Sequence, residues 1–261
     1  MNPFADLSKE VNHLLTTLAG QEVWGPITTY TPFIILILLL VLALVFAAKR
    51  QLSLVPKNRF VGAVELFVDF TRTDVGYGVL GPSAKKHMPF LLTLFTFILL
   101  SNLVGIIPGS KAATGTMGVT VALALISFVY FTYCGIKHHG LGHYLLSLTP
   151  SGLKPFPLAA FIWLLEFVSM MLRLLTLSVR LFANMFAGHI LLGALAILAT
   201  LFITPLFASF SPEALGLAGG GVMWVVLLTL LYSVELLVAC IQAFVFTLLS
   251  SVYIMLATSE H

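Results

Sequence analysis

The sequence predicts an all-α polytopic membrane protein, and three observations carry that prediction. Hydrophobic residues make up 59% of the 261 and charged residues only 9%, with a mean hydropathy of +1.07. Several apolar runs reach the ~18–20 residues that a helix needs to cross a bilayer. The runs are long and uniformly aliphatic, and in lipid a helix satisfies all of its backbone groups internally.

Residues 1–30 are mixed polar, with a short amphipathic piece from Leu7 to Leu18. This segment is expected on the outer side. It lacks the basic start and short apolar core of a cleavable signal. Residues 31–261 are expected to form one integral membrane domain with spans near 31–48, 88–107, 117–136, 158–202 and 222–257. The first span closes on Lys49-Arg50. The connection over 51–87 is the longest polar stretch, and within it Phe60, Val64, Phe67, Val68 and Phe70 recur at helical steps. That pattern fits an amphipathic helix at the membrane surface, and equally an ordinary extramembrane helix. The second span contains Asn102 and ends on Pro108-Gly109. The fourth is too long for one perpendicular crossing, so it should be tilted. Gly- and Pro-rich residues from Pro205 to Gly221 predict a break before the last helix. The 49–87 and 137–157 loops carry most of the loop Lys and Arg, which puts the N-terminus outside and the C-terminus inside.

Several chemistries are excluded at this level. A net charge of +3, scattered along the chain, does not suit nucleic acid. Cys134 and Cys240 lie in apolar spans and read as packing residues. His138, His139 and His143 share a loop, but no carboxylate or cysteine accompanies them, so no metal is expected there. His189 alone lies within a span, which argues against a bis-histidine haem. There is no G-x-x-x-x-G-K-[ST] run and hence no phosphate-cradling loop. No cofactor is expected.

The stretch from Leu158 to Leu201 is apolar enough for the bilayer, yet it holds Glu166, Arg173, Arg180, Asn184 and His189. An ionisable group at the bilayer centre costs at least about 2.5–3.5 kcal/mol on insertion scales, so such residues usually face protein or water and usually work. Glu166, Arg173 and Arg180 fall seven apart, nearly two full turns, and so share a helix face. Ser169, Thr176, Ala183, Asn184 and Ala187 fill the intervening steps. The result is a narrow, positively charged track of polar and small residues that a neighbouring helix can approach closely. A purely structural reading has Arg173 and Glu166 pinning helices together, joined across the spacing of seven by a partner group or water. On the last helix Glu235 and Gln242 also lie seven apart, with Ser250 and Tyr253 further along.

If the last two helices pair antiparallel, Arg180 lies level with Gln242, and His189 with Glu235. Arg180 and His189 are nine residues apart, about 180° around a straight helix, so both pairs cannot be direct contacts in simple packing. Curvature, a crossing angle, or water between His189 and Glu235 must intervene, and water is the preferred reading. His and Glu can carry protons, whereas Arg holds its proton and acts as a fixed charge. That division suits a two-part proton path interrupted by a positive barrier.

Three runs resemble one family closely: Thr176-Leu177-Ser178-Val179-Arg180-Leu181-Phe182-Ala183-Asn184-Met185 followed by Phe186-Ala187-Gly188-His189; Gln242-Ala243-Phe244-Val245-Phe246-Thr247-Leu248-Leu249 through Tyr253; and Phe90 to Pro108 with Ser101-Asn102-Leu103-Val104-Gly105-Ile106-Ile107-Pro108. They are similar to subunit a of F-type ATP synthases, also called ATPase subunit 6, and the resemblance covers roughly residues 50–261. It implies a stator subunit beside a rotating ring of c subunits, together with a peripheral-stalk b-type subunit and the other Fo and F1 subunits. It implies that Arg180 is the essential rotor-facing charge. It places Glu166, Asn184, His189, Glu235 and Gln242 along two half-channels, and Arg173, Ser169 and Tyr253 are expected on the same proton path from their places in the sequence. It implies ATP chemistry on other subunits, and a mitochondrial inner membrane or bacterial cytoplasmic membrane. The pairing of His at 189 with Glu at 235 resembles the mitochondrial arrangement. A self-contained secondary transporter would show internal repeats and broken helices, and no convincing repeat is found. A purely structural scaffold leaves the aligned polar stripes unexplained.

Overall fold

A computed structural model describes residues 7–19, 22–24, 27–51, 59–140, 156–208 and 212–258. The fold is almost wholly helical. Helix α1 covers Leu7–Ala19, α2 Thr31–Gln51, α3 Arg59–Phe70, α4 Gly78–Leu80, α5 Ala84–Ile106, α6 Met117–His139, α7 Phe156–Ala208 and α8 Pro212–Thr258. The sequence reading missed one feature: a small antiparallel ribbon, β1 Glu22–Trp24 against β2 Ile27–Thr28.

Four helical stretches are long and apolar enough to cross a membrane: Val64–Ile106, Met117–His138, Phe161–Thr204 and Gly219–Thr258. The expected first crossing lies within α2, Thr31–Gln51, whose apolar part includes Thr31–Phe46.

The aromatic-rich stretch after the first loop is helix α3. Its Phe67 stacks on Phe95 of α5 with ring centroids 4.9 Å apart, and Phe70 lies 5.7 Å from Phe244 of α8. Seven π-helical residues, Thr71–Tyr77, carry the chain from α3 to α4, and a 3-10 turn, Gly81–Ser83, leads into α5. Widened turns of this kind redirect a helix without exposing backbone polar groups. They let one run of helix serve both as a surface piece and as a span.

The passage from α7 to α8 falls inside the expected Pro205–Gly221 stretch and is narrower than expected; residues 209–211 lie outside the described residues. Helix α7 continues through Pro205 to Ala208, and α8 runs without interruption through Gly219, Gly220 and Gly221. Pro and Gly are tolerated in membrane helices where neighbours re-satisfy the backbone. Gly221 serves close packing: a side chain there would strike Ile203 and Phe202 of α7. Pro212 opens α8, where its missing N–H costs no hydrogen bond.

Helices α7 and α8 form a long antiparallel pair, and α5 and α6 pack across it. Moving fourteen residues on from Gly188 to Phe202 moves fourteen back from Glu235 to Gly221, so one register holds along the pair. The buried side of α7 is Met170, Leu177, Ser178, Leu181, Met185, Leu192 and Ala199; that of α8 is Glu235, Ala239, Ala243, Phe246, Thr247, Ser250 and Ile254. Spacings of three, four and seven put each set on one face. The α8 face is rich in small residues, which lets the backbones approach. Around it Leu94, Phe95 and Ile98 of α5 and Leu123 and Ala124 of α6 complete the central core. Ser127 of α6 donates to Ser250 of α8 at 2.8 Å, a polar link inside that core.

The turn between α5 and α6 is tight. Gly109 takes a positive φ of 86°, and Gly105 lies directly against Ala112. Lys111 in this turn donates to Thr29 Oγ1 at 2.9 Å and stands 4.9 Å from the Tyr30 ring centroid; burial pushes its ammonium below the ordinary lysine range. A Cβ at Gly105 would overlap the Ala112 side chain and crowd its backbone, which cannot swing aside. Gly105→Ala should therefore cost about 1–3 kcal/mol through overpacking. The check is the thermal midpoint of the purified protein, with Gly62→Ala as control. Gly62 lies on α3 with nothing within 4 Å, so its substitution should leave the midpoint unchanged or raise it slightly.

Candidate functional site

The polar residues of α7 sort into three levels. The first holds Glu166, Ser169 and Arg173. Arg173 Nη2 donates to Glu166 Oε1 at 3.2 Å, a direct ion pair rather than one bridged by a partner or water. Two helical turns advance about 10.5 Å along the axis, and the long guanidinium arm covers that rise when both side chains lie flat on one face. The side chains are 29% and 41% exposed, so solvent screens the pair. Arg173 also stands 5.6 Å from the ring centroid of Tyr253 on α8. Tyr253 in turn lies 5.7 Å from Phe131 of α6. Ser169 is half-buried on the same stripe.

The second level is Arg180. It is exposed on the outside of the pair, and among the described residues it makes no hydrogen bond or ion pair. Its flank is apolar and equally uncovered: Leu172, Leu175 and Val179 are exposed beside it, and Thr176, Ala183 and Ala187 continue the shallow track. Gln242 is half-buried on α8 at the depth that the shared register makes level with Arg180.

The third level lies inside the seam. Glu235 is 6% exposed, and its carboxylate rests on Gly188 so closely that a Cβ at that position would collide with both carboxyl oxygens. Glu235 Oε1, His189 Nε2 and Asn184 Nδ2 are all buried, and none has a hydrogen-bond partner among the described residues. Asn184 and Gly188 are one turn apart on α7 and His189 follows Gly188, so the three polar groups lie within two turns of one another in depth, with Asn184 toward the Arg180 side and His189 on the other. A buried polar atom left unpaired costs about 1–3 kcal/mol. Water or an exchangeable proton can satisfy such groups.

Angular positions separate these levels further. The buried face of α7 lies between the directions of Arg180 and His189, which are about 180° apart. Arg180 therefore sits on one flank of the pair, and Glu235 and His189 sit at its centre and other flank. The register makes His189 and Glu235 neighbours in depth, while the contact that Glu235 makes is with Gly188.

The sequence reading missed Gly188 as a site residue, although it precedes His189 in the motif. The available signal was a glycine facing a carboxylate of the partner helix once the register is set. Asn102 was noted only as a polar residue within a span. It donates from Nδ2 to the carbonyl of Ala239 at 3.2 Å and accepts from Thr114 Oγ1 at 2.7 Å, which ties α5 to α8 one turn from Glu235.

A family profile described as ATP synthase A chain matches residues 30–255. The chain belongs to that family. Proteins named ATP synthase subunit a from Chloroherpeton thalassium, Anaeromyxobacter dehalogenans and Nocardioides sp. are among those it is similar to. The first is 35% identical over 233 residues, 85% of this chain and 63% of the relative. The second is 38% identical over 224 residues, 82% of this chain and 53% of the relative. The third is 37% identical over 219 residues, 82% of this chain and 76% of the relative. The chain thus spans less than two thirds of the length of the first two. Family membership and four long apolar helices make it a multi-pass membrane protein.

The contact between Gly188 and Glu235 is open to a stability test. Gly188→Ala should lower the thermal midpoint by the equivalent of about 1–3 kcal/mol, because the carboxylate must move out of a packed seam. Combining it with Glu235→Ala should recover most of that loss. Additive effects of the two substitutions would show that the side chains do not meet.

Proposed function

We propose that this chain is the proton-translocating stator subunit of the Fo sector of an F-type ATP synthase, supplying two offset half-channels to and from a rotating ring of c subunits. The observation that carries the proposal is Arg180: an uncovered guanidinium on an apolar flank of a membrane helix, with no acid of the described chain beside it. Left against lipid it costs at least about 2.5–3.5 kcal/mol. A partner surface that presents carboxylates at that depth removes the cost, and a ring of carboxylate-bearing helices is such a surface.

The polar levels then take their roles. On the outer side, Asn184, His189 and Glu235 form a hydrated entry where His and Glu relay protons toward a ring carboxylate. On the inner side, Glu166, Arg173, Ser169 and Tyr253 line the exit, with the Arg173–Glu166 pair fixing both side chains at its wall. Arg180 and Gln242 stand between. Arg180 holds a passing carboxylate ionised by Coulomb attraction in a low-dielectric setting, so the ring site can give up its proton on one side only. Its charge also repels a proton that would cross directly from entry to exit. The chain is not an enzyme on its own; ATP chemistry belongs to other subunits. Its partners are the c-ring, a b-type peripheral-stalk subunit, the remaining Fo and F1 subunits and the lipid bilayer. The setting is an energy-coupling membrane, mitochondrial inner or bacterial cytoplasmic, with the N-terminus outside. The names of the relatives support this reading over a self-contained transporter.

Arg180→Ala tests it. In membranes carrying matched amounts of assembled complex, proton-driven ATP synthesis should fall to background while passive proton leak rises. Coupled synthesis at the unsubstituted level would contradict the proposal.

A further inference from the structure

We infer that Asn102 is a positioning residue for Glu235, acting through the backbone of α8 as one end of a closed hydrogen-bond clamp with Ser101 and Thr114. The inference rests on the role proposed for Glu235 above.

All three side chains are fully buried. Thr114 N donates to Ser101 Oγ at 3.0 Å, and Ser101 Oγ donates back to Thr114 Oγ1 at 3.3 Å. Thr114 Oγ1 donates to Asn102 Oδ1 at 2.7 Å, and Asn102 Nδ2 donates to the Ala239 carbonyl at 3.2 Å. The chemistry fixes each direction. A backbone carbonyl can only accept, so the amide nitrogen must face Ala239. The amide oxygen must then face Thr114, which is left to donate. None of these groups titrates near neutral pH. The network therefore cannot release a proton, and it has one geometry rather than two.

Its location gives it leverage. Ala239 is fully buried, one helical turn from Glu235 and on the same face of α8. Gripping the Ala239 carbonyl from α5 sets both the depth and the rotation of α8 at this turn. Glu235 Oε1 has no hydrogen-bond partner among the described residues, and the carboxylate packs against Gly188. A carboxylate packed against a facing backbone moves when its own helix turn moves. Thr114 belongs to the turn between α5 and α6, so that turn is coupled to the carboxylate through Asn102.

The experiment uses the assembled complex in membrane vesicles and measures passive proton flux against pH. Asn102→Leu keeps the branching, though not the size, and removes both donor and acceptor; Thr114→Val keeps the shape and removes the hydroxyl; Thr114→Ser keeps the hydroxyl. Asn102→Leu and Thr114→Val should each cut flux on the order of 10-fold, because a misplacement of about 1 Å at a reacting group is costly. Both should also displace the pH limb that Glu235→Gln removes. Thr114→Ser should restore the unsubstituted profile. In a Glu235→Gln background, Asn102→Leu should add little, since the group it positions is gone. Multiplicative losses in the double variant, an unmoved pH limb, or a Thr114→Ser profile like that of Thr114→Val would each overturn the inference. If Glu235→Gln itself leaves flux unchanged, the role proposed for Glu235 fails first, and this inference falls with it. That result differs visibly from a failure of the clamp alone, in which Glu235→Gln is impaired and Asn102→Leu acts independently.

Discussion

Everything at the site depends on the close, single-register contact between α7 and α8. Small residues on α8, Ala239, Ala243, Thr247 and Ser250, let the two backbones approach. Gly188 and Gly221 admit Glu235 and the Phe202–Ile203 step at two points fourteen residues apart. Shifting this register by one residue would rotate each facing side chain by about 100°. It would drive the Glu235 carboxylate off Gly188 and take Gln242 out of level with Arg180. Lipid cannot supply that specificity, because tails solvate Leu as well as a neighbouring Leu does. Steric fit and buried polar links must set it instead, and Asn102 to Ala239 and Ser127 to Ser250 are two such links.

The same contact separates the functions. On one flank the guanidinium of Arg180 stands uncovered among aliphatic side chains. In the seam and on the other flank are buried polar atoms with no partner among the described residues. A helix about 180° out of phase with itself over nine residues carries both faces without a bend. The geometry places a fixed charge on an uncovered flank and buried polar groups in the seam.

Much of this was legible in the sequence because it follows from periodicity. Steps of seven put Glu166, Arg173 and Arg180 on one face, and the antiparallel register made Glu235 level with His189. Other features were not legible for identifiable reasons. The helices pass through Pro205 and Gly219–Gly221 because packing between membrane helices overrides local propensity. The direct Arg173–Glu166 pair depends on side-chain reach, which residue spacing alone understates. The clamp on Ala239 uses a backbone carbonyl, which no side-chain motif announces. The roles of the polar residues rest on chemistry and resemblance together.

The central claim is that Arg180 supplies a charge at one depth on the flank of the pair, and that Gln242 shares that depth. Exchanging the two tests it most directly. Proton pumping should be compared in membranes with matched levels of assembled complex for Arg180→Gln and for Arg180→Gln combined with Gln242→Arg. The single variant should be inactive, because an amide cannot hold a carboxylate ionised. The double variant should recover part of the pumping, limited by a changed angle of approach. If it assembles and pumps no better than Arg180→Gln, then the two residues do not serve one site, and the account of this helix pair is wrong.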